Sequence, residues 1–152
     1  MSDGTTATPQ EVREVVVQGS ALGLAQTIEV AGRHTLVGDE PVSAGGADSG
    51  PDPYDFLLTA LGCCTSMTIS LYARHKQWPL ESVRVTLRHA KVKASELEGI
   101  RTKEGLVDRI ERDVQLFGSL DGDQRERLLQ IANKCPVHKT LTSEIVIRTA
   151  LL

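Results

Sequence analysis

Residues 50–74 have the sequence GPDPYDFLLTALGCCTSMTISLYAR, and the rest of the predicted architecture follows from them. Asp52 is a suitable N-cap, because its carboxylate can accept hydrogen bonds from the free amides of a first helical turn, and Pro53 suits the next position. Asp55 stands where a capping box has its second acceptor. No residue from Phe56 to Ala73 is charged. The segment therefore predicts one long helix that must be enclosed by other elements of the chain or by a second subunit.

A membrane-spanning helix is the alternative interpretation of this uncharged run, which reaches the lower length limit of about 18 residues for crossing a bilayer. Several threonine and serine residues, together with Gly62, make the run only moderately hydrophobic. Neither an aromatic belt nor a basic asymmetry flanks it. We therefore predict a buried core helix and no membrane partner.

The size and charge of the chain narrow its class further. Its 152 residues fit one domain, but one small sheet would hardly cover so apolar a helix, which favours an obligate homodimer. The 17 basic and 20 acidic residues are interspersed, and the formal net charge is −3. This pattern gives no electrostatic footprint for nucleic acid or anionic lipid, so neither is expected as a partner.

The polar residues 1–10 lack the basic start and apolar region of a secretory signal. We expect a disordered tail there, followed by a single domain over residues 11–152, in a cytoplasmic protein. Static disulfides are not expected in that compartment, so Cys63, Cys64 and Cys135 are either inert core thiols or redox-active ones. Periodicity alone leaves both possibilities open, because cysteine is among the most buried residue types.

The elements around the long helix are predicted from apolar periodicity and turn signals. Strands are expected at residues 12–18, 24–31, 33–37, 82–94, 107–117 and 144–152. A shift of the apolar phase predicts a bulge or strong bend near His89, and Arg112 interrupts the two-residue period of the fifth strand. Residues 42–52 are predicted to form a glycine-rich loop, and residues 95–105 a hairpin or flexible arm.

A second helix is predicted at residues 124–134, capped by Asp121 or Asp123 and stopped by Pro136. Cys135 would then lie at a helix C-terminus, where the macrodipole disfavours a thiolate. The resulting order, β-β-β-α-β-β-α-β, predicts the α+β class and lacks the alternation that a parallel sheet requires.

Two motifs in this sequence resemble the superfamily of OsmC and organic hydroperoxide resistance (Ohr) proteins, and most of all its OsmC-like branch. They are residues 50–68, GPDPYDFLLTALGCCTSMT, and residues 135–141, CPVHKTL. The resemblance extends from about residue 12 to residue 151. It implies an intertwined homodimer in which strongly curved antiparallel sheets enclose the long central helices.

The same resemblance implies a chemistry. Cys64 aligns with the reactive cysteine of the family and Cys135 with the second cysteine, whereas Cys63 takes a position that is more often small. In characterised members the first cysteine attacks the peroxide O–O bond as a thiolate and becomes a sulfenic acid, and the second condenses with it to a disulfide. A dithiol, lipoylated protein in the family, then reduces the disulfide. The implied function is a thiol-dependent peroxidase for small organic hydroperoxides that needs no cofactor; His89 and His138 lack the tight spacing with Cys135 that a metal site requires.

One departure from the family pattern leaves a rival hypothesis open. The hydroperoxide-resistance branch lowers the pKa of its reactive cysteine with an arginine from the first hairpin, oriented by a glutamate, but residues 19–23 contain no arginine. Asp55 lies near the place of that glutamate, and Arg33 is another source of positive charge. Without a cation the nucleophile is poorly activated. The rival is a non-catalytic OsmC-like protein that binds an apolar ligand or senses redox state.

Overall fold

The structure, a computed structural model, describes residues 12–152, so the predicted tail of residues 1–10 lies outside the described part. The fold belongs to the α+β class, as predicted, and its strands pair antiparallel. The described residues fall into two compact units, one ending at Asp55 and the other beginning at Phe56. The single domain over residues 11–152 stays a prediction.

The first unit contains the three antiparallel strands predicted before the long helix. They are β1 (Val15–Gly19), β2 (Gln26–Val30) and β3 (His34–Gly38), in the order β1-β2-β3. The turn between β2 and β3 places Ala31 and Gly32 at positive φ, 50° and 63°, a backbone twist that suits a tight hairpin. Arg33 lies in this turn and is exposed.

The glycine-rich loop after β3 is organised by one buried carboxylate. Asp39, which is 3% exposed, accepts hydrogen bonds from the backbone N–H groups of Glu40, Ala47 and Ser49 at 2.8, 3.1 and 3.1 Å, and from Ser49 Oγ at 2.7 Å. The Ser49 hydroxyl and amide, followed by the Glu40 amide, lower the pKa of Asp39 to about 2. A Cβ at Gly46 would collide with the Glu40 carbonyl, which explains the glycine there. The loop is irregular but tightly held.

The long helix is present as α1 (Pro53–His75). The predicted capping box is confirmed, because Asp55 N–H donates to Asp52 Oδ1 at 2.9 Å and Asp52 N–H donates to Asp55 Oδ2 at 3.1 Å. Its buried residues recur every four positions, at Leu61, Thr65, Ile69 and Ala73. By length and composition α1 is also able to cross a membrane, a test that core helices of soluble proteins pass as well.

In the second unit an antiparallel ribbon packs against these buried α1 residues. It consists of β4 (Leu80–Lys93) and β5 (Leu106–Gly118). The predicted bulge near His89 is wrong: the pairing runs without a break from Ser82 to Lys93, and the one irregularity lies between Leu80 and Ser82. His89 continues the inner row of β4, and its ring lies 2.8 Å from Asp108 Oδ1. Beyond His89 the half-buried position moves to Val92, so the burial phase does shift although the strand pairing stays regular.

The core of this unit lies where α1 meets a second helix, α2 (Gly122–Ala132). Asp121 caps α2 through a capping box with Gln124, which confirms one of the two predicted N-caps. Buried apolar side chains from both helices form the core cluster, which comprises Ile69, Ala73, Leu120, Leu128 and Ala132. Inner-row residues of β4 and β5, such as Val83 and Val114, pack against it.

The end of the chain differs from the prediction in two ways. Pro136 does not stop α2 directly but begins a short helix, α3 (Pro136–Leu141), and Cys135 is the N-cap of that helix rather than the C-terminus of α2. Residues 144–152 form no strand and are exposed, so the described order ends α-α instead of α-β. An alternating apolar segment forms a strand only beside a partner edge, and no described strand pairs with this one.

Candidate functional site

The two cysteines that the family resemblance singled out meet in the second unit. Cys64 lies on α1 and is partly exposed, whereas Cys135 precedes α3 and is completely buried. Cys64 is near enough to Cys135 to contribute to the lowered pKa of the Cys135 thiol. Cys63 is exposed, and all three cysteines are free thiols. The structure thus brings Cys64 and Cys135 together from distant parts of the sequence.

Two groups besides Cys64 contact the buried sulfur of Cys135. The backbone N–H of His138 donates a hydrogen bond to Sγ at 3.3 Å, which is the capping interaction of α3. Thr65 Oγ1 lies 3.9 Å from Sγ. The Thr65 hydroxyl, itself completely buried, also donates to the Leu61 carbonyl one turn earlier at 2.7 Å. Thr65 is therefore held by its own helix in the position from which it meets Cys135.

The cation of this site is Arg112, in the inner row of β5 opposite Leu87. Its Nη1 donates to Thr65 Oγ1 at 2.9 Å, and its Nη2 donates to Asn133 Oδ1 at 2.7 Å. Nη2 also lies 3.4 Å from His138 Nδ1. Among the residues that the structure describes, no ion pair includes Arg112. The Arg112 guanidinium is thus held by neutral partners, and Thr65 lies between it and the Cys135 sulfur.

These contacts set the ionisation of the site. Burial opposes the charged form of Cys135, but the neighbouring His138 amide, Cys64 and Thr65, together with the charge of Arg112, outweigh it and lower the pKa of the Cys135 thiol. Burial, followed by the repulsion from Arg112, lowers the pKa of His138. A neutral imidazole whose Nδ1 accepts from Arg112 is consistent with both effects. The surroundings of the Cys135 sulfur therefore favour its anionic form relative to that of an ordinary thiol.

A cavity of about 440 Å³ adjoins the site and shares Arg112 and His138 with it. Part of its wall is apolar and the rest is polar. The lining residues are Leu61, Asp108, Ile110, Arg112, Asn133, His138, Leu141 and Thr142. Asp108 accepts a hydrogen bond from Lys91 at 2.8 Å and lies equally close to the His89 ring, and these partners lower the pKa of its carboxyl group. The cavity can admit a small amphipathic molecule next to Arg112 and His138, and neither Cys64 nor Cys135 is among its lining residues.

The other residues suggested by the sequence have different places. Asp55 is the acceptor of the α1 capping box, and Arg33 belongs to the exposed turn between β2 and β3. Within residues 12–152, no group of three or more His, Cys, Asp or Glu side chains could hold a metal ion. In the sequence, Arg112 stands out only as an interruption of a strand, and its part in the site is not predicted. The available signal was that a lone arginine occupies an otherwise apolar inner row, where a charged group requires a reason.

Comparisons with known proteins agree with this fold and this pair of motifs. The family model for OsmC-like protein matches residues 46–150. None of the curated protein sequences matches the chain. An organic hydroperoxide resistance protein OsmC from Legionella pneumophila has a similar structure, with a TM-score of 0.65 at 18% identity, over 89% of this chain and 92% of that chain.

Two further solved structures show the same likeness. For the organic hydroperoxide resistance protein OhrB of Bacillus subtilis the TM-score is 0.61 at 16% identity, over 87% of this chain and 91% of that one. For an organic hydroperoxide resistance protein from Elizabethkingia anophelis the TM-score is 0.66 at 14% identity, over 90% of this chain and 91% of that one. At these identities the structures show a shared fold, whereas the family model covers most of the sequence. The chain therefore belongs to the OsmC-like protein family.

Proposed function

We propose that this protein is a thiol-dependent peroxidase that reduces organic hydroperoxides, with Cys64 as the peroxidatic and Cys135 as the resolving cysteine. The observation that carries the proposal is the contact between Cys64 and Cys135 next to a guanidinium that has no carboxylate partner in the described chain. A cysteine pair inert in a core would not need a half-buried cation beside it. Arg112 brings a positive charge to the pair from β5, in place of the arginine that the first hairpin lacks, and this charge acts on the Cys135 sulfur.

The first step uses the two sulfurs as an acid–base pair. In the proposed mechanism the reactive pair carries one negative charge, and Cys64 and Cys135 share one proton. Transfer of that proton to Cys135 leaves Cys64 as the thiolate, which attacks the terminal oxygen of the hydroperoxide. The O–O bond breaks, the sulfenic acid forms on Cys64, and the departing alkoxide takes the proton from Cys135. The products are an alcohol and a Cys135 that is again a thiolate.

The second step is the condensation of the pair. The Cys135 thiolate attacks the sulfur of the Cys64 sulfenic acid, the S–O bond breaks, and hydroxide leaves with that bond's electron pair. The disulfide that results must be reduced by a dithiol before the next turnover. A cytoplasmic location, expected from the sequence, would supply such a reductant, for example a lipoylated protein. The mixed polar and apolar cavity fits a small organic hydroperoxide better than hydrogen peroxide.

We further propose a homodimer. The α1 helix leaves Met67 and Leu71 more than half exposed, and the C-terminal segment exposes Ile147 and Leu151. Apolar surface of this extent favours association, and a second copy would cover α1 and offer an edge to residues 144–152. Analytical ultracentrifugation should find dimers down to the lowest concentration at which the protein stays folded. A folded monomer would refute this part of the proposal.

The activity is tested by the consumption of cumene hydroperoxide and of hydrogen peroxide, with dihydrolipoamide as the reductant. We expect turnover with both and a clear preference for the organic substrate. Cys64→Ser should abolish turnover, and Cys63→Ser, the same change at the exposed neighbouring position, should retain it. If the wild-type protein loses no thiols on exposure to either peroxide, the peroxidase proposal fails and the binding or redox-sensing alternative takes its place.

A further inference from the structure

Resting on the proposed function, we infer that the reductant opens the disulfide at Cys64, and that Cys135 departs as a thiolate stabilised by the His138 amide and by the charge of Arg112, which Thr65 helps to position. The two sulfurs of a disulfide are chemically equivalent until the protein distinguishes them. Which one is attacked depends on access and on how well the other sulfur bears the negative charge. The structure separates Cys64 from Cys135 on both counts.

Access favours Cys64. An attacking thiolate must approach the sulfur in line with the S–S bond, from the side opposite the leaving sulfur. Cys135 is completely buried, with the N-terminal turn of α3 on one side and Thr65 on another. Cys64 is partly exposed. An external thiol therefore reaches Cys64 along a path on which Cys135 lies behind it.

Charge stabilisation selects the same direction of reaction. The His138 N–H points at the Cys135 sulfur at 3.3 Å. Thr65 Oγ1 lies 3.9 Å from that sulfur, and Arg112 donates to Thr65 at 2.9 Å. Asn133 holds the other end of the guanidinium at 2.7 Å, so the cation is fixed before any charge appears. Groups that are already in place around a sulfur stabilise the negative charge that develops on it, and so they favour its departure as an anion.

The reductive step balances as follows. The first thiolate of the dithiol attacks Cys64 Sγ and forms a mixed disulfide, while the Cys64–Cys135 bond breaks and its electron pair stays on Cys135. The second thiolate of the reductant attacks the reductant's own sulfur in the mixed disulfide. This closes a cyclic disulfide and releases Cys64, which takes a proton from solvent. The reductant has lost two electrons and the protein has gained two. Arg112 and Thr65 act as positioning residues, since neither meets the reductant.

The test starts from protein oxidised with diamide, so that it does not depend on peroxidase activity. The oxidised protein is mixed briefly with 2-mercaptoethanol and quenched in acid, and the mixed disulfide is located by peptide mapping. We expect the adduct at Cys64, in about tenfold or greater excess over Cys135. A predominant adduct at Cys135 would overturn the inference and leave the peroxidase proposal intact. Failure of diamide to join Cys64 with Cys135 would overturn the pairing itself.

A second measurement examines the leaving group. Reduction of the disulfide by 2-mercaptoethanol should be at least about fivefold slower in Arg112→Gln than in the wild type, and Arg112→Lys should recover part of the rate. The matched control is Arg109→Gln, which removes the same charge from an exposed position on the same strand, where Arg109 lies 3.5 Å from Glu111. Equal rates in Arg112→Gln and Arg109→Gln would show that the cation does not assist Cys135, even if the adduct forms at Cys64.

Discussion

Thr65→Val removes the hydroxyl that joins Arg112 to the cysteine pair while keeping nearly the same side-chain shape. Thr65 is completely buried, and its Oγ1 accepts from the Arg112 guanidinium at 2.9 Å. A hydrogen bond to a charged group contributes about 1.5–3 kcal/mol to the free energy of unfolding. The new methyl group recovers about 0.8 kcal/mol through burial. We therefore expect Thr65→Val to destabilise the reduced protein by about 1–2 kcal/mol.

The assay is urea unfolding of the reduced proteins, all at one concentration, with Thr59→Val as the matched control on an exposed face of α1. Combining Thr65→Val with Arg112→Gln should reduce the cost of the valine by more than half, because the two residues share one bond. The reasoning is refuted if Thr65→Val and Thr59→Val differ by less than about 0.5 kcal/mol, or if the cost of Thr65→Val is unchanged in the Arg112→Gln background.

Three further predictions concern the resolving step, acid stability and the core. Cys135→Ser should permit one oxidation of Cys64 by hydroperoxide, slower than in the wild type because the proton acceptor is lost, and should then stall or over-oxidise, which mass spectrometry would detect as sulfenic or sulfinic acid; continued turnover would argue against a resolving role. Because the folded pKa of Asp39 is about 2 against an ordinary 3.8, its stabilising contribution is complete above pH 3.8 and is lost as the pH falls towards 2. Asp39→Asn should flatten the pH dependence of stability in that window. An unchanged dependence would show that the Asp39 carboxylate does not cause the loss of stability at low pH. Leu128→Ala should cost about 2–5 kcal/mol in urea unfolding, because Leu128 is fully buried, whereas Leu129→Ala at a residue 55% exposed should cost far less.

Structural features that depend on neighbouring residues could be predicted from the sequence. The capping box of Asp52 and Asp55 and the three-stranded start follow from neighbouring side chains and from two-residue periodicity, and the structure bears them out. The antiparallel class followed from the order of elements. The motifs at both cysteines gave the family, which the match over residues 46–150 shows.

Features that depend on distant partners could not be predicted in the same way. The apolar phase does change after His89, but whether a bulge accompanies the change depends on the pairing with β5, which stays regular there. Pro136 suits both the end of one helix and the start of the next, and the interaction that decides between them is the His138 amide on Cys135. The role of Arg112 becomes apparent only in the fold, where β5 places it against Thr65 of α1. The segment 144–152 has the pattern of a strand but no described edge beside it.

The location of Cys135 at the start of α3, against the middle of α1, has a consequence for chain entropy. A bond between Cys64 and Cys135 would close a covalent loop that contains β4, β5 and α2, most of the second unit. Closing a loop of about 70 residues restricts the unfolded chain by an amount worth about 4 kcal/mol. Each turn of the proposed cycle would therefore alternate the protein between two levels of resistance to unfolding. The reductant that restores activity would also return the fold to its less stable form.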